Sequence, residues 1–113
     1  MIETINGLKF KVLTPEQINA LKEIKPTPMF VNEDTVIEIQ KILELDPTSL
    51  EYDTMPSTEL TAIRNSVVRN LTDGLNSRTD EGYDMMTRVS MITAVLDYLY
   101  YTKRALEKRR AVN

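Results

Sequence analysis

Residues 80–111 read DEGYDMMTRVSMITAVLDYLYYTKRALEKRRA, and this stretch decides the fold because it predicts one long amphipathic helix. Its large apolar residues recur at alternating steps of four and three, which keeps one stripe facing the same neighbour over many turns. A helix of this length is about 45 Å long. The stripe consists of Met85, Val89, Ile92, Leu96, Leu99 and Leu106, with the charged Lys103 between the last two.

The predicted helix is long for a chain of 113 residues, since a folded chain of that size has a radius of gyration of about 13 Å. It therefore spans the domain or projects beyond it, and a projecting stripe needs a partner. Tyr98, Tyr100 and Tyr101 widen the apolar sector, and tyrosine is common in protein interfaces. The alternative is that these tyrosines cover the short helices of the same chain. The predicted protein interface consists of Met85, Val89, Ile92, Leu96, Tyr98, Leu99, Tyr100, Tyr101 and Leu106.

The N-terminus predicts a β-hairpin over residues 2–12. Asn6-Gly7 supplies the two positive φ angles of a type I′ turn, whose twist suits antiparallel strands. Leu8, Phe10 and Val12 then share one face. Because an isolated hairpin is marginal in water, we expect this face to dock on the helices. Pairing of the hairpin edge with another chain is the alternative.

Three short helices are predicted between the hairpin and the long helix, each starting at a residue that can cap it. Thr14, with Gln17 three residues later, forms a capping box. Asn32 and Ser57 are the expected caps of the other two helices. The polar residues 48–56 predict turns. The expected helices cover residues 14–25, 33–45 and 57–73.

These elements predict a mainly α fold in a single domain, 1–113. A β-hairpin is followed by three short helices and one long C-terminal helix, all packed as a bundle. The apolar linker 29–31 is expected to tuck into the core. The residues 76–82 before the long helix are the most flexible stretch by composition, and the three glycines have turn, cap or loop roles.

The composition argues against an enzyme. The chain has no Cys and no His, which excludes thiolate metal sites and disulfides, and removes the usual general base near neutral pH. Asp80, Glu81 and Asp84 are oxygen ligands of the kind that Mg²⁺ or Ca²⁺ binds, but acidic residues also favour helix N-termini. We expect no cofactor and no metal. No membrane span or signal pattern is visible, so the expected location is the cytoplasm or a particle assembled there.

Charge is unevenly distributed along the chain. Residues 33–59 hold eight carboxylates and one cation, whereas residues 103–110 hold five cations and Glu107. The acidic part of one copy can therefore meet the basic end of another copy or of a partner. The basic cluster is also a candidate anion or nucleic-acid contact, although cations favour helix C-termini in any case. It consists of Lys103, Arg104, Lys108, Arg109 and Arg110.

The leading functional prediction is a non-enzymatic assembly or adaptor protein that binds copies of itself or a larger protein complex. One alternative is a regulatory binder of nucleic acid, or of a transcription component, through the basic cluster. Another is an oligomer that holds a small anionic ligand between its subunits. In general character, a small helical chain without Cys or His resembles accessory proteins of tailed bacteriophages. No motif carries this likeness, so no residue role is taken from it.

Overall fold

The chain forms an N-terminal β-hairpin followed by helices, in a computed structural model that describes residues 1–26 and 31–112. The mainly α fold with a dominant last helix is therefore confirmed. The hairpin pairs β1 (Ile2–Ile5) with β2 (Leu8–Lys11) in an antiparallel arrangement. The described helices are α1 (Pro15–Lys22), α2 (Glu33–Ile42), α3 (Leu50–Thr54), α4 (Ser57–Thr72) and α5 (Asp80–Val112). Of the predicted apolar linker, only Val31 is described, and it packs against the core.

The antiparallel pair of α4 and α5 forms the centre of the fold. Ser57 at the start of α4 hydrogen-bonds Glu107 near the end of α5, and Arg64 lies 2.8 Å from Asp97. α5 has 33 residues, about 50 Å of helix, and the longest dimension of the molecule is 51 Å. The long helix therefore spans the molecule. Neither α5 nor any other helix in the described part of the chain is both long and apolar enough to cross a bilayer.

The core consists of aliphatic side chains from four of the helices, packed between the short elements and one side of α5. Each large aliphatic side chain that is fully buried contributes about 1.5–3 kcal/mol relative to exposure. The side chains with almost no exposed surface include Leu21 of α1, Ile39 of α2, Leu60 and Val67 of α4, and Ile92 and Leu96 of α5.

The hairpin docks on α4 through the outer edge of β2. The side chains of Asn65 and Ser66 donate hydrogen bonds to the carbonyl oxygens of Lys9 and Lys11, respectively. Polar side chains of α4 therefore take the place of a third strand for the carbonyl groups of β2 that point away from β1.

The apolar face of the hairpin is only partly covered, contrary to the expectation that it would dock as a whole. Phe10 is half-buried under the guanidinium group of Arg69, whose Cζ lies 5.2 Å from the ring centroid. Leu8 and Val12 remain exposed. The reason is that the hairpin meets α4 with an edge, so only one side chain of this face reaches the helix.

Several helix boundaries differ from the predicted ones. The capping box of Thr14 and Gln17 is confirmed, but α1 ends at Lys22 and not at residue 25. α2 ends at Ile42 and not at residue 45, because Glu44 adopts a left-handed conformation with φ of +58°. Part of the predicted turn region 48–56 forms the one-turn helix α3, which is capped by Ser49.

The segment before α5 is a hydrogen-bonded turn. The side-chain amide oxygen of Asn76 accepts from the amide of Arg78, and the hydroxyl of Thr79 donates to the Asn76 carbonyl at 2.8 Å. The Thr79 hydroxyl also accepts from the amide of Gly82 at 2.9 Å, so Thr79 provides the N-terminal cap of α5. Gly82 is buried inside the first turn of the helix and does not lie in a loop.

Candidate interaction surface on the long helix

The inner stripe of α5 is covered by its own chain. Val89, Ile92, Leu96 and Leu99 are buried in the core, and Met85 and Tyr100 are partly buried against it. These residues, predicted as a protein interface, are therefore not available to a partner in this structure. Fewer residues of the stripe are uncovered than predicted, because α4 runs antiparallel to about half of α5 and α2 also packs against α5. Among the predicted interface residues, Tyr98, Tyr101 and Leu106 remain exposed.

Charged side chains on the covered side of α5 hold the ends of other helices. Arg88 is buried, and its Nε donates to the carbonyl oxygen of Ile24, just after α1. Its Nη2 also lies 3.2 Å from Asp84, one turn earlier. Ile24 lies two residues beyond the last residue of α1, so this hydrogen bond links the chain that leaves α1 to α5. The sequence signal for this role, which was not predicted above, is a cation on the apolar side of the helix.

Lys103, like Arg88, lies on the covered side of α5 and bonds a backbone carbonyl group of another part of the chain. It is only 7% exposed, and its Nζ donates to the carbonyl oxygen of Tyr52 in α3. The same Nζ lies 4.3 Å from the centre of the Tyr52 ring, a distance typical of a cation–π contact. Burial also raises the pKa of the Tyr52 phenol. Lys103 is therefore not accessible to an anion, which corrects its assignment to the basic cluster.

The rest of the basic cluster is divided between internal ion pairs and exposed cations. Arg104 lies 3.5 Å from Glu107, and Arg110 lies 3.3 Å from Asp53. Within the described residues, Lys108 and Arg109 form no ion pair, and both are exposed. Exposed ion pairs are weak, so Arg104 and Arg110 can exchange their partners at little cost.

Glu107 caps α4 from a distance of fifty residues along the chain. The sequence predicts Ser57 as the cap, but the N-cap position is Pro56, which has no side-chain donor or acceptor. The carboxylate of Glu107 accepts from the Ser57 amide at 2.9 Å and from its hydroxyl at 2.6 Å. The hydrogen bond from the Ser57 hydroxyl, and next the one from the Ser57 amide, lower the pKa of Glu107.

This cap makes stability depend on pH in a defined direction. A carboxyl group with a lowered pKa in the folded state stabilises the fold above its ordinary pKa of 4.5, and this contribution is lost as the pH falls through the lower folded value. We expect Glu107→Gln to lower the free energy of unfolding at pH 7 by about 0.5–1 kcal/mol, the lower part of the range for helix caps. The difference from wild type should shrink below pH 4.5.

Urea unfolding of both proteins between pH 3 and pH 7 measures this difference. Glu38→Gln, at an exposed position of α2, is the control for the loss of one carboxylate. A constant difference between Glu107→Gln and wild type at every pH would contradict the assignment.

The exposed side of α5 is a partly aromatic surface with little charge. Tyr83, Tyr98 and Tyr101 are 73%, 72% and 70% exposed, respectively. Between Asp84 and Asp97 no exposed residue of the helix carries a charge, whereas helix sides that face water are ordinarily charged or polar. We call this surface the outer face. It comprises Tyr83, Met86, Thr87, Ser90, Ala94, Asp97, Tyr98 and Tyr101.

One charged residue lies within the outer face, and its partner was not anticipated. Asp97 receives a hydrogen bond from Nε of Arg64 at 2.8 Å, so its charge is compensated by a residue of α4. Of this surface, only Tyr98 and Tyr101 are among the predicted interface residues. The remaining members escaped notice because small and hydroxyl-bearing residues form no apolar stripe.

The free edge of β1 is a second, smaller surface. The amide of Val12 bonds the carbonyl of Met1, and hydrogen-bonded pairs alternate along an antiparallel ladder. The backbone groups of Ile2 and Thr4 therefore point away from β2. No further strand pairs with β1 in the described part of the chain.

The described clefts offer little support for a ligand-binding or metal site. One cleft, of about 480 Å³, lies between the hairpin, α1, the end of α2 and α3. Its lining includes three carboxylates, of Glu44, Glu51 and Glu59, against the amines of Lys11 and Lys41. Within the described residues, no three acidic side chains come together in a way that would hold a metal ion.

Comparison with known proteins gives no match for this chain among family models, curated proteins or solved structures.

Proposed function

We propose that this protein is a non-enzymatic assembly or adaptor protein that associates with other protein surfaces through the outer face of α5. The exposure of Tyr83, Tyr98 and Tyr101 on a helix side that lacks charge over about three turns carries the proposal. Tyrosine provides a large contact area and loses little conformational freedom when it is bound. The free edge of β1 offers a further place for backbone pairing with a partner strand.

Two other functions receive less support from the positions of the charged groups. Binding of nucleic acid through the basic cluster would have to do without Lys103, which is buried, and Arg104 and Arg110 would have to exchange the acidic partners that they already have. Binding of a small anion in the cleft between the hairpin and α1 to α3 is not favoured, because the carboxylates of Glu44, Glu51 and Glu59 line it beside its cationic groups. The setting that we propose is a cytoplasmic complex, or an accessory position in a particle such as a virion assembled in the cytoplasm.

Site-specific photocrosslinking in the cells that naturally make the protein tests this function. A benzophenone amino acid at position 98 should give light-dependent protein adducts, because this position lies within the outer face. The same amino acid at position 38 is the control, since Glu38 is exposed on α2, away from the outer face. The absence of adducts from position 98, or equal yields from both positions, would exclude the outer face as a binding surface.

A further inference from the structure

All residues of the outer face except Met86 and Tyr98 belong to a heptad stripe that covers nearly the whole of α5. From Asp80 to Lys108 the steps alternate between three and four residues, which keeps the stripe in line on an antiparallel partner helix. Every position of the stripe is exposed or half-buried. The positions are Asp80, Tyr83, Thr87, Ser90, Ala94, Asp97, Tyr101, Arg104 and Lys108.

The stripe is complementary to itself when it is reversed. Two α5 helices can be placed antiparallel about a two-fold axis at the level of residue 92. Each residue of one copy then faces a residue of the second copy, and the two residue numbers sum to 184. Ser90 then meets Ala94 of the second copy at the centre, where small side chains allow close approach. Tyr83 meets Tyr101 of the second copy on either side of this centre.

Charge supports the same alignment at the ends of the stripe. Asp80 meets Arg104 of the second copy, and Lys108 lies one turn further on. The first turn of α5 is acidic and its last turns are basic, so an antiparallel arrangement places opposite charges together at both ends. A parallel arrangement would place like charges together. The ion pair between Arg104 and Glu107 is exposed, so its loss costs little.

We infer that a second copy of this chain binds the outer face, giving a two-fold symmetric dimer in which the two α5 helices run antiparallel about Ser90 and Ala94. A two-fold interface uses the same patch on both subunits, and this patch provides complementary groups in one register. The inference rests on the proposed function and specifies its partner.

The solution mass tests the dimer. Light scattering during size exclusion should give twice 13.0 kDa for the wild-type protein at high concentration. Ala94→Glu should halve this mass, because it places two carboxylates beside the two-fold axis without touching the core. Thr61→Glu, which adds the same charge at an exposed position of α4, should leave the mass unchanged. A wild-type monomer at all concentrations, or a dimer that survives Ala94→Glu, would overturn the inference.

Cysteine crosslinking tests the antiparallel register, because the chain has no native cysteine. A mixture of Asp80→Cys and Arg104→Cys proteins should give a covalent dimer with a short bis-maleimide. Neither variant alone should do so, since its two cysteines would be about 36 Å apart along the helices. Dimers from Asp80→Cys alone would overturn this register. If the protein is a monomer but position 98 crosslinks to a different protein in cells, the inference fails and the proposed function stands.

Discussion

Replacing Ile92 with alanine is expected to lower the free energy of unfolding by about 2–5 kcal/mol, the range for large-to-small changes in a packed core. Ile92 has no exposed surface and lies in the buried stripe of α5 that forms part of the core. The loss combines the transfer free energy of the removed carbons with the cavity that a rigid core leaves behind. Urea unfolding measures it, and the effect should be independent of protein concentration.

The matched control is Ile37→Ala, which removes the same atoms from α2 at a position that is exposed. We expect this variant to remain within about 0.5 kcal/mol of wild type. If Ile92→Ala instead left the unfolding free energy unchanged and altered the solution mass, the inner stripe would be a contact between molecules and not part of the core.

Much of the local structure could be predicted because it depends on neighbours in the sequence. The turn at Asn6-Gly7 has the two positive φ angles that a type I′ turn requires. The capping box of Thr14 and Gln17 forms both of its hydrogen bonds. The periodicity of residues 80–111 locates the start of α5 and identifies the side that faces the core.

Contacts between distant residues could not be predicted by these local rules. Glu107 caps α4 and Arg88 holds the end of α1, although the sequence places neither near its partner. Lys103 interrupts an apolar stripe because the last carbonyls of α3 point at it. The sequence pattern shows that a stripe needs a cover, but it does not show whether α4 or another molecule provides it.

The candidate surface was predicted only in part for a related reason. An apolar stripe marks the inner side of α5. Most of the predicted interface residues therefore belong to this stripe, which the fold buries. The outer face has the same heptad spacing but contains serine, threonine and alanine between its tyrosines. Only the exposure of Tyr83, Tyr98 and Tyr101 in the folded chain separates an available surface from a covered one.

Gly82→Ala is expected to destabilise the protein by about 1–3 kcal/mol, the range for inserting atoms where there is no space. In most helix interiors the same change stabilises by about 0.5–1 kcal/mol, because alanine loses less backbone entropy on folding. Here a Cβ at Gly82 would lie 1.9 Å from the carbonyl oxygen of Asn76 and 3.0 Å from Cα of Ser77. These are backbone atoms of the preceding turn, so no flexible side chain can move aside, and the steric cost decides the sign.

Moving the backbone of the preceding turn away from the new Cβ should also weaken the hydrogen bonds that Thr79 makes with Asn76 and Gly82. Because these hydrogen bonds cap α5, the start of the helix should become less stable. Urea unfolding gives the loss, and hydrogen exchange at the Gly82 and Tyr83 amides should show faster opening of the first turn. Glu81→Ala, at the exposed neighbouring position, is the control and should change stability by no more than about 0.5 kcal/mol. A Gly82→Ala protein more stable than wild type would mean that the turn at residues 76–79 can move away from the helix, so that backbone entropy outweighs packing.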